Sequence, residues 1–206
     1  MDKIKVLIAD DHSVVRMGIS ALLSAEKDMV IVGETKNGDE AVKSALKLRP
    51  DIVIMDLMMP KKDGITATAE LKAALPTTKV LILTSFSTSD GIAHAINAGA
   101  VGAIMKSAEN SDLVTTIRKI AAGKSVITPD IRRMLNEDPP LPELSPRQME
   151  ILSSITRGLT NNDIAKQLGI STASVKTHIM ALFSKMGAAT RSEAVAIALR
   201  KHLLKM

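Results

Sequence analysis

Hydrophobic residues fall in short continuous runs along the first 120 residues of the chain, and amphipathic segments lie between these runs. Runs rich in β-branched residues are typical of strands buried on both faces of a parallel sheet. The runs cover residues 4–9, 29–33, 52–56, 79–83 and 101–105. The segments between them carry apolar residues at three- and four-residue spacing over 14–23, 38–48, 65–75, 89–97 and 111–122. This alternation predicts an α/β doubly wound five-stranded parallel sheet with helices on both faces.

Reactive side chains follow four of these strands. Asp10 and Asp11 come after the first strand, Asp56 ends the third, Thr84 follows the fourth and Lys106 follows the fifth. A parallel sheet gathers such positions at one edge. Clustered carboxylates repel one another and favour a divalent cation, and hard oxygen ligands suit Mg²⁺. Taken singly, an Asp can be a turn residue and a Lys an ordinary surface residue. Their agreement predicts an anion-binding site.

This set of residues resembles the receiver domain of bacterial two-component response regulators. The Asp pair, the Asp-x-x-x-Pro-x-x-Asp-Gly run over 56–64, the Thr and the Lys occur in the family's order over about the first 120 residues. The resemblance implies a flavodoxin-like fold and the transfer of a phosphoryl group from a sensor histidine kinase to Asp56. It further implies that Asp10, Asp11, Asp56 and the backbone carbonyl of Met58 hold Mg²⁺, while Thr84 and Lys106 stabilise the phosphoryl oxygens.

Two departures from the family pattern carry expectations of their own. Ala103 stands three residues before Lys106, where relatives usually have Tyr or Phe, so we expect signal coupling to run through segment 84–90 and the helix after it. Met58 and Phe86 are bulky and apolar at positions where polar side chains can orient the hydrolytic water. They predict slow loss of the phosphoryl group.

Length and composition limit the classes of protein to which this chain can belong. The 206 residues suffice for two domains, and a hydrophobic content of 46% argues against disorder. No apolar run is long enough to cross a membrane and no signal peptide is recognisable, so cytoplasmic residence is expected. The absence of Cys excludes disulfides and thiolate metal sites.

Charge is divided unequally along the chain. Residues 144–206 carry 9 Lys and Arg against 3 Asp and Glu, whereas the rest of the chain carries 18 against 19. A small basic domain indicates a polyanionic partner, of which nucleic acid is the commonest. Segment 136–143 contains three prolines and three acids and is typical of a semi-rigid spacer. We therefore predict a first domain over 1–123, a linker over 124–143 and a DNA-binding domain over 144–206.

Capping residues predict four helices in the basic domain. Ser145, Thr160, Ser171 and Thr190 each precede a segment with helical periodicity. The second and third helices are separated by only Gly-Ile-Ser at 169–171, which has the length and the glycine of a helix-turn-helix. A small all-α four-helix domain is therefore expected.

The third helix has one apolar face and one polar face. Small, hydroxyl-bearing and basic side chains, with one methionine, lie away from its apolar face, and such a helix can enter a major groove. An ordinary amphipathic helix with a solvated face has the same pattern. The outward residues are Ala173, Lys176, Thr177, His178, Met180 and Ser184.

Residues 144–203 resemble the LuxR-type output domain of the NarL/FixJ group of response regulators. The matching stretches are 144–147, 158–161, 164–165, 168–171, 175–178, 185–187 and 191–195. The resemblance implies that Lys176 and Thr177 read bases. It makes contacts with the phosphate backbone expected for Asn162, Ser171, His178 and Lys185. Some relatives carry a second base-reading lysine where this chain has Met180, so the target sequence is left open.

The sequence as a whole is interpreted as a cytoplasmic response regulator that binds double-stranded promoter DNA as a homodimer on activation. RNA polymerase is a possible further partner, and no membrane partner is expected. A regulator whose receiver serves only for dimerisation, without phosphorylation, is the alternative. An enzyme acting on foreign substrates is not expected, because Met58 stands where a phosphohydrolase of the haloacid dehalogenase type needs a second acid. The last helix carries an apolar stripe wider than one contact needs, so part of the stripe is expected to be a dimer contact. The stripe consists of Ala194, Val195, Ile197, Ala198, Leu199 and His202.

Overall fold

A computed structural model of the chain describes residues 3–85, 89–201 and 203. These residues form two compact units, Met1–Pro139 and Pro140–Met206. None of the described helices is long and apolar enough to span a bilayer.

The first unit is built on a parallel sheet whose strands lie in the order β2-β1-β3-β4-β5-β6. Its strands are β1 (Ile4–Ala9), β2 (Met29–Thr35), β3 (Ile52–Asp56), β4 (Lys79–Thr84), β5 (Gly102–Met105) and β6 (Val126–Ile127). Its helices are α1 (Ser13–Ser24), α2 (Gly38–Leu48), α3 (Gly64–Ala74), α4 (Ser89–Asn97), α5 (Asn110–Ala121) and α6 (Pro129–Glu137). The doubly wound flavodoxin-like fold predicted from the sequence is confirmed.

The central strands are apolar at every position because both faces of the sheet are covered. Leu7 and Val53 contribute to one core, while Ile8 and Ile54 contribute to the other. All four side chains are at most 1% exposed. Alternate residues of one strand thus enter two separate cores, which explains the continuous hydrophobic runs.

The expectation of five strands was wrong, since the described part of the sheet has six. Strand β6 pairs with β5 and contains only two residues, too few to produce a period in the sequence. Gly102 permits this pairing, because a Cβ atom there would lie 2.7 Å from the carbonyl oxygen of Val126. Helix α6 follows, and its Ile131 is fully buried in the core beside α4.

The predicted linker over 124–143 therefore contains β6 and α6, both of which belong to the first compact unit. The two units divide between Pro139 and Pro140, within the proline-rich stretch. The functional domain boundaries at 123 and 144 stay a prediction.

The described part of the second unit consists of four helices around one core, as the capping residues predicted. Ser145 and Thr160 form complete capping boxes with Gln148 and Asp163. Thr190 also caps its helix, but Glu193 accepts from the backbone N–H of Ala189 instead of closing the box. The helices are α7 (Pro146–Thr156), α8 (Asn161–Leu168), α9 (Thr172–Met186) and α10 (Arg191–Arg200).

Gly64, the first residue of α3, lies against the strand that ends in Asp56. A Cβ atom at this position would lie 2.0 Å from the Asp56 carbonyl oxygen, which is backbone and cannot move aside. The Gly64 N–H also donates to the carbonyl of Leu57 at 3.0 Å. This close approach holds the loop after β3 tightly against the strand end.

We predict that Gly64→Ala lowers the free energy of unfolding by about 2 kcal/mol or more, because the added methyl group forces the loop away from β3. Gly18→Ala is the matched control, since Gly18 is also helical but a Cβ there meets nothing within 4 Å. The control should be neutral or stabilising by about 0.5–1 kcal/mol. Urea denaturation followed by circular dichroism measures both, and equal stabilities for the two variants would contradict the packing argument.

Candidate functional site

Two buried carboxylates lie side by side at the carboxyl edge of the sheet. Asp10 follows β1 and Asp56 ends β3, and these strands are neighbours in register, with Ala9 opposite Met55. Asp10 is 1% exposed and Asp56 is 4% exposed. The chain leaves β1 toward β2 on one side and returns to β3 on the other, so the pair lies at the switch point of the sheet, where ligands of such folds bind.

Lys106 binds both carboxylates. Its Nζ atom lies 2.6 Å from Asp10 Oδ2 and donates to Asp56 Oδ2 at 2.8 Å. The backbone N–H of Lys106 donates to the carbonyl of Thr84 at 2.7 Å, which joins the ends of β5 and β4. Thr84 itself is 2% exposed. The structure therefore brings together Asp10, Asp56, Thr84 and Lys106, as the sequence predicted.

Burial dominates the electrostatics of this cluster. It raises the pKa of the Asp56 carboxyl, although the hydrogen bond and the charge of Lys106 oppose the rise. Burial also opposes the charged form of Lys106, but its bonds to Asp10 and Asp56 outweigh this and raise its pKa. The charged form of Asp56 in this poorly solvated site is thus favoured by the nearby Lys106 ammonium.

The residues at this edge fit a hard divalent cation. Asp10, Asp11, His12 and Asp56 each offer a ligand atom, and these four atoms lie within 4.8 Å of one another. Asp10 Oδ2 is buried, and among the described residues its partner is the Lys106 ammonium at 2.6 Å. Carboxylate oxygens gathered in this way are the ligands that Mg²⁺ prefers.

Met58 contacts the site through its backbone, whose N–H donates to the Asp56 carboxylate. The assignment of its carbonyl as a metal ligand stays a prediction. The Met58 side chain is 68% exposed. Phe86, the other residue expected to slow hydrolysis, lies outside the described residues, so that expectation also stays a prediction.

Sequence reasoning missed His12. Its Nδ1 atom lies 2.9 Å from Asp11 Oδ1 and 3.2 Å from Asp10 Oδ1. Its backbone N–H donates to Asp10 Oδ1 at 2.8 Å. The signal was present, because an imidazole directly after an acid pair at a strand end is itself a potential metal ligand.

Helix α4 begins beside the C-terminus of α6. Ser89, the first residue of α4, is 1% exposed, and its hydroxyl donates to Asp138 Oδ2 at 3.0 Å. Asp138 is the C-cap residue of α6 and directly precedes the proline stretch. A hydrogen bond therefore connects the helix that follows the Thr84 segment with the chain leaving the first unit.

The hydrophobic core of the first unit contains Ala103, the residue three positions before Lys106. Ala103 is fully buried and pairs with Ile82 on β4 and Ile127 on β6. It shares its hydrophobic cluster with Ile131 of α6 and Ile92 of α4. Helix α6 thus packs on the same core as α4.

In the second unit, α8 and α9 form a helix-turn-helix. Gly169 adopts the left-handed conformation at the end of α8, with φ of 63°. Ser171 caps α9, since its side chain accepts from the N–H of Ser174. Val175, Leu182 and Met186 are buried in the core, which orients the helix. The opposite face is exposed, as predicted, at Ala173, Lys176, Thr177, Met180 and Ser184.

The residues that are expected to contact the DNA phosphate backbone differ in their exposure and in their hydrogen bonds. Asn162 is exposed and its Oδ1 accepts from the Thr172 hydroxyl at 3.2 Å. Lys185 is exposed as well, but its Nζ donates to the carbonyl of Glu143 at 2.8 Å. His178 is half-buried. A shallow depression of about 500 Å³ lies at the turn and includes Lys166, a further basic residue that the sequence reasoning did not single out.

The apolar stripe on α10 serves mainly the core of the second unit. Ala194 is fully buried and Ala198 is 2% exposed, while Val195 and Ile197 pack against the same cluster. Leu199 remains 55% exposed. His202 lies outside the described residues. The dimer contact expected on this helix stays a prediction, now centred on Leu199.

Comparisons with known proteins cover both units. Residues 6–118 match the family model of the response regulator receiver domain. Residues 142–198 match that of bacterial regulatory proteins of the luxR family. The response regulator protein VraR of Staphylococcus aureus is 39% identical over 207 residues, which cover 98% of this chain and 99% of VraR.

Solved structures of response regulators are also similar to this chain. The response regulator ChrA of a heme-sensing two-component system is 35% identical, with a TM-score of 0.60 over 99% of this chain and 100% of ChrA. RcsB is 25% identical, with a TM-score of 0.70 over 97% of this chain and 99% of that structure, in which two RcsB dimers are bound to two parallel DNAs.

Proposed function

The chain is a response regulator, with a receiver domain and a LuxR-type DNA-binding domain, and we propose that a sensor histidine kinase phosphorylates Asp56 to control promoter binding. The observation that carries this proposal is the buried pair of Asp10 and Asp56 neutralised by Lys106. A site that holds two acids with one ammonium is suited to an additional dianion once a divalent cation is present.

Phosphoryl transfer requires the protein mainly to position the reacting groups and to neutralise their charge. A carboxylate oxygen of Asp56 attacks the phosphorus, the bond from phosphorus to the kinase imidazole nitrogen breaks, and the imidazole leaves with that electron pair. Asp10, Asp11, Asp56 and the Met58 carbonyl would hold Mg²⁺, which supplies charge neutralisation. Lys106, which already contacts Asp56, would pair with the phosphoryl oxygens, and the Thr84 hydroxyl would bind one of them.

Signal coupling is proposed to run from Thr84 through α4 to α6. The Ser89 hydroxyl bonds to Asp138 at the end of α6, and α6 is followed by the proline stretch. A shift of the segment after Thr84 would move the first residue of α4 and weaken this bond. The Ala103 side chain is too small to change its packing in response to such a shift. The hydrogen bond between Ser89 and Asp138 is therefore the more direct route for signal coupling.

DNA binding is proposed for the exposed face of α9. Lys176 and Thr177 lie on this face, and the flanking basic residues give the domain its positive charge. The Thr177 hydroxyl donates to the carbonyl of Ala173 at 3.2 Å, so its methyl group and its oxygen lone pairs remain available to a base edge. Lys176 can reach the acceptors of guanine.

The same proposal includes homodimerisation on activation, promoter DNA as the target, cytoplasmic residence and the absence of a separate enzymatic turnover. The similar protein RcsB is dimeric on DNA, which supports dimers here. RNA polymerase remains a possible partner, and the domain boundaries at 123 and 144 are kept as proposed. A receiver used only for dimerisation is the alternative, and phosphorylation decides between the two.

Asp56→Asn is expected to abolish labelling by acetyl phosphate and by a partner kinase while the fold is retained, because the amide has no nucleophilic oxygen of comparable charge. Asp51→Asn is the matched control. Asp51 directly precedes the same strand at its opposite end, and the variant should be labelled like the wild type. Intact-mass spectrometry measures the label, and a labelled Asp56→Asn protein would refute the site.

Ser89→Ala is expected to leave labelling of Asp56 intact but to reduce the effect of phosphorylation on DNA affinity by about fivefold or more, since the bond to Asp138 is lost. Ser24→Ala, an exposed serine at the end of α1, should behave like the wild type. DNA binding is compared with and without phosphorylation by anisotropy of labelled DNA. An unchanged ratio in Ser89→Ala would rule out this route.

Lys176→Ala is expected to relax the preference at one base pair of the selected DNA site by about 1–3 kcal/mol, because a base-reading contact is removed. Arg200→Ala removes the same charge at the end of α10 and should leave the base preference unchanged. Selection from a random DNA library gives the motif of each protein. A uniform loss of affinity without a change of motif would show that Lys176 contacts only phosphate.

A further inference from the structure

We propose that His12 is a ligand of the cation at this site and gives the site a preference for first-row divalent cations that accept nitrogen, such as Mn²⁺, over Mg²⁺. The inference rests on the proposed cation site and adds a nitrogen donor to the oxygen ligands described above.

The geometry matches neighbouring positions around one octahedral ion. Nδ1 of His12 lies 2.9 Å from Asp11 Oδ1 and 3.2 Å from Asp10 Oδ1. Adjacent ligands of an ion with bonds of about 2.1 Å are about 3.0 Å apart, and opposite ligands are about 4.2 Å apart. All four potential ligand atoms lie within 4.8 Å of one another, so they surround one place where a cation can bind.

A buried carboxylate lies in the same cluster. Asp10 is 1% exposed, and its Oδ2 lies 2.6 Å from Lys106 Nζ. The backbone N–H of His12 donates to the other oxygen, Oδ1, at 2.8 Å and fixes the carboxylate beside the imidazole. The His12 side chain is 63% exposed, so it lies at the open side of the cluster, where a cation enters.

Hydrogen bonding holds the imidazole in the carboxylate cluster. His12 is the N-cap residue of α1, yet its side chain makes no capping hydrogen bond. Its Nδ1 atom instead shares a hydrogen bond of 3.2 Å with Asp10 Oδ1 and lies 2.9 Å from Asp11 Oδ1. These contacts place the imidazole nitrogen within reach of the cation that the carboxylates would bind.

The ligand set determines which cation is preferred. Mg²⁺ binds oxygen and retains its water, whereas imidazole suits later first-row cations. A set of carboxylates with one imidazole therefore favours Mn²⁺ and its successors over Mg²⁺. The family's usual cation would still bind through the oxygen ligands alone.

The test is direct detection of nitrogen on bound Mn²⁺. Full-length protein is stripped of metal, loaded with Mn²⁺ alone and measured by electron spin echo envelope modulation. The wild-type complex should show ¹⁴N coupling from one imidazole. His12→Gln should lose this coupling, because a glutamine amide offers only oxygen. His94→Gln, at an exposed position of α4, is the matched control and should retain it.

Calorimetric titration provides a second measurement that does not depend on phosphorylation. Mn²⁺ affinity should fall about tenfold in His12→Gln, while Mg²⁺ affinity should fall less than Mn²⁺ affinity. Absence of ¹⁴N coupling in the wild type, its persistence in His12→Gln, equal losses for both cations or failure of Mn²⁺ to bind would each overturn the proposal. Absence of labelling at Asp56 in the wild-type protein would instead contradict the proposed function. A failure of the metal-ligand proposal can therefore be distinguished from a failure of the proposed function.

Discussion

The first unit depends on holding two buried carboxylates next to each other at the end of a hydrophobic sheet. Asp10 and Asp56 would repel each other in this poorly solvated place, and Lys106 provides the charge that makes the arrangement stable. Removing one partner from a buried ion pair costs about 3–5 kcal/mol in general. The cluster is therefore stable only while a cation is present, which makes it responsive to any group that changes the local charge.

Backbone packing converts this charge cluster into a defined geometry. Gly64 lets the loop after β3 press against the Asp56 carbonyl, and the Lys106 N–H ties the end of β5 to Thr84. Each tie connects the end of one strand with a neighbouring strand or loop. A phosphoryl group that bonded to Lys106 and Thr84 would thus act on β4, β5 and the segment that leads into α4.

The added strand and helix extend this network toward the end of the unit. Strand β6 lies on β5, and α6 brings Ile131 into the core and Asp138 to the start of α4. In the second unit, the capping residues and one apolar core fix α9 with Lys176 and Thr177 outward. Polar hydrogen bonds therefore set the positions at both ends of the proposed signalling path, while apolar burial supplies the stability.

The sequence by itself determined most of the elements and the residues of the proposed site, because these depend on local order. Hydrophobic runs placed five strands, capping residues placed the helices of the second unit, and positions after strand ends identified Asp10, Asp56, Thr84 and Lys106. Only the tertiary structure decided what depends on contacts between distant segments. These contacts are the two-residue strand β6, which exists because it pairs with β5, and the bond between Ser89 and Asp138, which lie 49 residues apart. Tertiary structure also decided that most of the apolar stripe of α10 packs into the core of the second unit. It decided the surroundings of His12 as well, because the fold gathers carboxylate oxygen atoms around its ring.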